Sequence, residues 1–130
     1  MQNVELVQKG YQHFSEGDIE SVLELFHPDI IWDECQGFPF ITGEGIFKGA
    51  EAVVQGVFSH LPTHYEGFRI DILELFECGE KVVMVGHYRG TYKNTGKPFK
   101  ANATHVWTVK DGKLAHFFQA VDTAEIINPK

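Results

Sequence analysis

Ala101-Asn-Ala-Thr-His105-Val-Trp107-Thr-Val109 is the stretch on which the reading of this chain turns. Ala101, Ala103, His105, Trp107 and Val109 alternate with Asn102, Thr104, Val106 and Thr108, and a period of two gives a strand one apolar and one mainly polar face. A sheet built on this strand has an inside, and His105 and Trp107 point into it. Around it, turn chemistry at Cys78-Gly79-Glu80, Asn94-Thr95-Gly96 and Lys110-Asp111-Gly112 divides the chain from Tyr65 onward into four apolar runs, an antiparallel meander. Val82-Val83-Met84-Val85 is apolar at every position, which suits a strand buried on both faces at the sheet centre, and Gly86 marks a close approach. The alternation of Phe68, Ile70 and Ile72 changes phase to Leu73 and Leu75, which a bulge explains.

Upstream the period changes to that of helices. Val4, Val7, Tyr11 and Phe14 form one stripe that ends at Ser15-Glu16-Gly17, and Asp18 caps a second helix from Ile19 to Phe26, stopped by His27-Pro28. The two pack as a hairpin. Ile30-Ile31-Trp32 reads as a short strand, followed to Gly49 by a loop rich in glycine and phenylalanine with a short strand at Ile46-Phe47. A third helix runs from about Ala50 to Leu61 and closes at Pro62. Asp122 and Glu125 have the spacing of a capping box and open a short last helix through Ile127.

Length and composition set outer limits. A chain of 130 residues, 43% hydrophobic and 22% charged, matches one globular domain with no repeat or linker. No apolar run reaches the roughly 20 residues of a membrane span, and MQNVELVQKGYQ has no signal-like apolar core, so a cytoplasmic location and no membrane partner are expected. A net charge of −7, with no cluster among the 11 basic residues, argues against nucleic acid. Cys35 and Cys78 read as free thiols, and Asn102-Ala103-Thr104 as a sequon that never meets the glycosylation machinery. Gly43-x-Gly45-x-x-x-Gly49 lacks the dinucleotide spacing and reads as a lid. Pro62 breaks the helix that would align His60 with His64 on a metal, so neither metal nor cofactor is expected.

Tyr11-x-x-Phe14-x-x-Gly17-Asp18, Phe26-His27-Pro28-Asp29 with Trp32, Thr95-Gly96-Lys97-Pro98-Phe99, His105-Val106-Trp107 with Asp111-Gly112-Lys113, and Asp122-Thr123-Ala124 together resemble the SnoaL-like group of the nuclear transport factor 2-like (NTF2-like), ketosteroid isomerase-related family. The resemblance covers nearly the whole chain. It implies a single α+β domain over residues 1–130 with a cone-shaped fold, three N-terminal helices on a strongly bent antiparallel sheet and a short C-terminal helix. It also implies a pocket for a small, partly apolar organic molecule carrying a carbonyl or an acid group. Polyketide cyclases, steroid isomerase relatives, epoxide hydrolases and members without known chemistry share this fold, so the activity must be argued from the site.

Alternation proposes the site. Ile30, Trp32 and Glu34 share a face, and Glu34 looks equivalent to the general-base aspartate of ketosteroid isomerases, with His105 where those enzymes hold an oxyanion-stabilising acid. The first-helix tyrosine of those enzymes corresponds to Gly10, with Tyr11 turned about 100° further around the helix. Since Gly86 and Gly90 interrupt the opposite set, Val83, Val85, His87 and Arg89 are expected across the sheet from His105, facing inward. Arg89 then pairs with Glu34 or holds a ligand's acid group. Phe14, Trp32, Phe58, Trp107, Phe117 and Gln119 complete the wall. Asp122 competes with Glu34 as base, because cyclases of the group use a pocket aspartate, although Asp122 equally suits a helix cap. Glu34 read blandly is a rim carboxylate beside Asp33, and His87 and His105 are core histidines.

Three functions follow. The first is an isomerase, cyclase or lyase that abstracts a proton next to a carbonyl. The second is a non-catalytic binding or accessory domain in which Arg89 anchors an acid group, and the third is an epoxide hydrolase using two carboxylates and Arg89. In all three the polar outer face of the sheet, including Asn102 and Thr104, is expected to form a homodimer.

Overall fold

In the computed structural model, which describes residues 2–41 and 43–129, helices pack on a curled six-stranded sheet and a short helix closes the chain. Helix α1 (Asn3–Ser15) buries Val7 and Tyr11 of the expected stripe, with Val4 and Phe14 only partly buried beside them and Leu6 added to the core. Helix α2 (Ile19–Glu24) is capped by Asp18, whose carboxylate accepts from the Ser21 backbone N–H at 3.2 Å. That helix is shorter than expected. Phe26 already belongs to strand β1 (Phe26–Asp33), longer than the three residues its apolar core suggested.

Strand β2 (Ile46–Lys48) pairs with β1, and β3 (Tyr65–Cys78), β4 (Lys81–Tyr92), β5 (Lys97–Lys110) and β6 (Lys113–Val121) form the meander. The order is β2-β1-β6-β5-β4-β3. One junction departs from the expected antiparallel sheet, because β1 runs parallel to β6 with Trp32 opposite Phe117. The connection from β1 passes through the third helical segment and the whole meander, so β6 can return beside it in the same direction.

The third helical segment also outlasts its expected stop. Residues Ala50–Val53 (α3) are α-helical, Val54–Phe58 form a π-helical turn, and His60–His64 (α4) continue past Pro62. Pro62 lies in the first turn of α4, where its missing N–H costs no helical bond. The π-helical turn presents buried Val57 and Phe58 to the core.

Bulges set the curl. The β3–β4 register slips between Ile72 and Glu74, where the phase change was read, and again between Glu66 and Arg69. In the β5–β6 hairpin, Asp111 and Gly112 form a two-residue turn with φ of 53° and 70°, and Lys110 pairs with Lys113. A bulge falls at Ala115, between the Thr108–His116 and Val109–Leu114 pairs. Leu114, Phe117 and Gln119 are thereby all buried.

The phase of β4 reverses the sequence reading. Met84 is the Cα partner of His105, and Val82, Met84 and Tyr88 are buried. Val83, Val85, His87 and Arg89 lie on the other face, half-buried. Gly86 belongs to the inner set for a reason outside its own strand. A Cβ there would stand 2.1 Å from the Asp71 carbonyl oxygen, where bulged β3 presses against it.

The outer face is less polar than expected. Thr104 and Asn102 lie on it, but Phe76, Val83, Val106 and Phe118 form a cross-strand row over four strands, with Phe76 and Phe118 exposed. No helix among the described residues is long and apolar enough to cross a membrane.

Candidate functional site

A cavity of about 60 Å³ lies between the helices and the concave face of the sheet. Its wall takes Tyr11 and Phe14 from α1, Trp32 from β1, Glu34 from the residue after it, Phe58 from the π-helical turn, and Tyr88, Trp107 and Phe117 from the sheet. Such a volume holds a few water molecules or one small group, since about 10–15 Å³ accommodates a single water.

Glu34 reaches the interior because β1 turns Ile30, Trp32 and Glu34 the same way, and all three are buried. Its backbone N–H donates to Gly45 O at 2.8 Å, which closes the loop between them. Gly45, with φ of 78°, leaves no room for a Cβ, which would stand 2.7 Å from the Glu34 carbonyl oxygen. The side chain is 3% exposed and its Oε1 has no hydrogen-bond partner among the described residues. Burial therefore pushes the carboxyl up to about 8, and the charge of Asp33 adds to the shift. The Trp32 indole and the Cys35 backbone N–H pull the other way without overcoming burial, the indole N–H lying near the carboxyl but with no partner in full hydrogen-bond geometry among the described residues. Orphaned buried polar atoms are uncommon in folded proteins, so this pair invites a partner that enters from outside.

Opposite stands a chain of hydrogen bonds with one direction. Tyr88 gives its only proton to Gln119 Oε1, so its oxygen must accept from His105 Nε2. The neutral imidazole then presents a bare Nδ1, which accepts from Tyr11 Oη at 2.7 Å. Trp107 Nε1 donates in turn to Tyr11 Oη at 2.8 Å. At the far end, Gln119 Nε2 approaches Cys35 Sγ at 3.9 Å, so the network ties the sheet to the residue after Glu34. His105 is 2% exposed, and burial pushes its ring down to about 3, so it stays neutral through the physiological range. Burial likewise raises the Tyr11 and Tyr88 hydroxyls well above their ordinary value, which keeps them as donors. Aligned donors of this kind polarise one another in a low-dielectric interior.

The site therefore gathers most, but not all, of the residues expected from the sequence. Phe14, Trp32, Glu34, Phe58, His105, Trp107 and Phe117 line the cavity, and Gln119 stands directly behind Tyr88. His87 and Arg89 do not belong to it. Both lie on the outer face, where Arg89 Nε holds Asp71 at 2.7 Å, so Arg89 neither pairs with Glu34 nor awaits a ligand. Asp122 is exposed at the end of β6 and precedes helix α5 (Thr123–Ile127), to which its side chain makes no capping bond. The epoxide-hydrolase arrangement thus lacks its arginine and second carboxylate in the cavity, and the binding-domain reading loses Arg89 as anchor. His105 is not free to donate directly, because both ring nitrogens are engaged.

Tyr88 and Tyr11 take the places that sequence reasoning gave to His87 and to a missing tyrosine. Tyr11 had a visible signal, its position on the buried stripe of α1, and Gly10 beside it leaves the wall thin. Tyr88 had only the phase of β4. His60 and His64 do stack, with ring centroids 5.7 Å apart, but no group of three metal-ligating side chains occurs among the described residues. From the loop expected to act as a lid, buried Phe38 lines the cavity, while Phe40, at φ of 68°, stacks on His64 at 3.5 Å. Met1, Thr42 and Lys130 lie outside the described residues.

Helices packed on a curled six-stranded sheet, with a short C-terminal helix, make this an NTF2-like fold. An NTF2-like protein of Burkholderia thailandensis E264 is 33% identical, with 98% of this chain and 96% of that one covered at a TM-score of 0.90. One from Burkholderia pseudomallei K96243 is 31% identical at a TM-score of 0.87, covering 98% and 96%. TerC, co-crystallised with polyporic acid, is 28% identical at 0.84, covering 96% and 95%. The SnoaL-like domain matches residues 7–117, and the chain belongs to that family. A comparison with curated proteins found no match.

Proposed function

We propose that this protein moves a proton next to a carbonyl of a small, uncharged, partly apolar molecule, as an isomerase or cyclase does, without a cofactor. The observation that carries the reading is the buried Glu34 carboxyl, its Oε1 without a partner among the described residues, in one hollow with a hydrogen-bond chain that passes through the Tyr88 hydroxyl. Ionised Glu34 takes a proton from the carbon beside the carbonyl. The C–H electron pair becomes the enolate double bond, and the carbonyl electrons move to oxygen. Tyr88, backed by His105, Tyr11 and Trp107, turns its proton from Gln119 to that oxygen, and Glu34 returns its own proton to carbon. Family membership supports chemistry of this kind, and the co-crystallised relative supports an organic guest. A guest larger than a few heavy atoms requires Phe38 and its loop to shift.

The test is deuterium uptake at the α-carbon of an uncharged cyclic ketone, 2-indanone, in D2O with purified protein. The protein should accelerate exchange, with a rate that rises up to about pH 8 as Glu34 ionises, and Glu34→Gln should remove at least about a hundredfold of it. Equal exchange by the two proteins would refute the reading. The apolar outer row supports a homodimer through the sheet, to be checked by light scattering: a mass of two chains agrees, and a monomer at high concentration contradicts it.

A further inference from the structure

We propose that the same cavity binds small organic ammonium ions, seated on the Glu34 carboxylate within its aromatic wall. This rests on the cavity described above but not on the proton transfer assigned to it. Nine of the seventeen described lining residues are phenylalanine, tyrosine or tryptophan, and none of the seventeen is lysine or arginine. Aromatic rings around a single acidic group complement an alkylammonium twice, through their electron-rich faces and through the carboxylate.

The charged and titratable groups around Glu34 strengthen this choice. Tyr88 on β4, Tyr65 on β3 and Cys35 next along the chain all feel the Glu34 charge, and burial raises each of them so that each stays neutral. His105 on β5 and Tyr11 on α1 are neutral as well, and Asp33 contributes a second negative charge. Among the described residues, nothing positive answers the carboxyl from inside the fold. The arginine expected to do so is bound to Asp71 on the outer face. A carboxylate guest would bring its own charge into a buried hollow whose described lining offers no cation to meet it, and a neutral guest would offer Oε1 only an uncharged donor. An ammonium supplies the missing donor. Its binding requires Glu34 to give up its proton, so below about pH 8 each ion bound should release close to one proton.

The experiment uses three probes of nearly one shape: tert-butylammonium, tert-butanol and pivalate. Binding is followed at pH 7 by the indole N–H signals of Trp32 and Trp107, and proton release by calorimetry in buffers of different ionisation heat. The ammonium should bind at least tenfold tighter than the alcohol, tighten about tenfold from pH 6 to pH 7, and release a proton, while pivalate leaves both signals in place. In Glu34→Gln the preference for the ammonium should vanish and the alcohol should bind as before. Pivalate or the alcohol binding as tightly as the ammonium, an ammonium affinity unchanged in Glu34→Gln, or no binding by any probe would overturn the proposal. Glu34-dependent deuterium exchange in a ketone without ammonium binding would sink this inference alone, and ammonium binding without exchange would sink only the catalytic reading.

Discussion

Between pH 6.5 and 8 the wild-type protein is expected to lose about 2 kcal/mol of stability, and Glu34→Gln is expected to lose none of it. The folded carboxyl titrates near 8 and the unfolded one near 4.5, so across that window the native state holds a proton that the unfolded chain has released. Stability then falls with rising pH at about 1.4 kcal/mol per unit. His105 acts with the opposite sign. Its folded ring titrates near 3 and its unfolded ring near 6.5, so between those values the unfolded chain binds the extra proton and stability climbs with pH. The two slopes cancel from about pH 4.5 to 6.5, and only the Glu34 decline remains above. The glutamine variant should instead climb by about 3 kcal/mol from pH 4.5 to 6.5 and stay level to pH 8. Urea unfolding at half-unit pH steps reads both curves, and their difference removes every titration they share. Parallel curves would mean that Glu34 is solvated.

His105→Phe should be the most damaging single change in the site, at about 3–5 kcal/mol at pH 7. Phenylalanine replaces the imidazole with a ring that has no polar atom, so Tyr11 loses its acceptor and Tyr88 its donor, both of them buried. An unpaired buried polar group costs about 1–3 kcal/mol, and two are created together. The loss should shrink towards pH 4.5, where the wild type is itself weakened because its unfolded chain binds a proton on His105 that the folded ring cannot hold. His105→Gln, which keeps one donor and one acceptor, should recover part of the loss. A His105→Phe protein within about 1 kcal/mol of wild type would show that the tyrosine–imidazole chain carries little energy.

How far the site could be read from the sequence depended on whether a strand's two faces differ chemically. In β5 they do: alternation of Ala, His and Trp with Asn and Thr turned His105 and Trp107 inward, as found. Trp32 brought Glu34 with it by the same rule, whereas the phase of β6 that buries Phe117 and Gln119 comes from the bulge at Ala115 and not from the Asp-Gly turn, which alone would place His116 opposite Trp107. In β4 the rule had nothing to act on, because Val82-Val83-Met84-Val85 is apolar at every position. The glycines then misled. Gly86 and Gly90 looked like gaps in an outer set, whereas Gly86 is an inner position left without a side chain because the bulge in β3 brings the Asp71 carbonyl to that spot. That contact joins two strands and leaves no trace in either alone. One residue of phase exchanged His87 and Arg89 for Tyr88, and with it a cationic anchor for a hydroxyl donor. The continuation of the third helical segment past Pro62 was missed for a similar reason: a proline ends a helix only where its N–H is needed, and a π-helical turn had already reset the count.

The whole account stands on the ionisation of one side chain, and carboxyl-carbon NMR of the protein labelled with ¹³C at the glutamate side-chain carboxyl carbon measures it directly. The resonance absent from Glu34→Gln identifies Glu34, and its chemical shift is followed from pH 3 to 10. A midpoint near 8 is the predicted result. A midpoint near 4.5, the value of a carboxyl in water, would place Glu34 in solvent and contradict both the proton transfer and the ammonium site built on it.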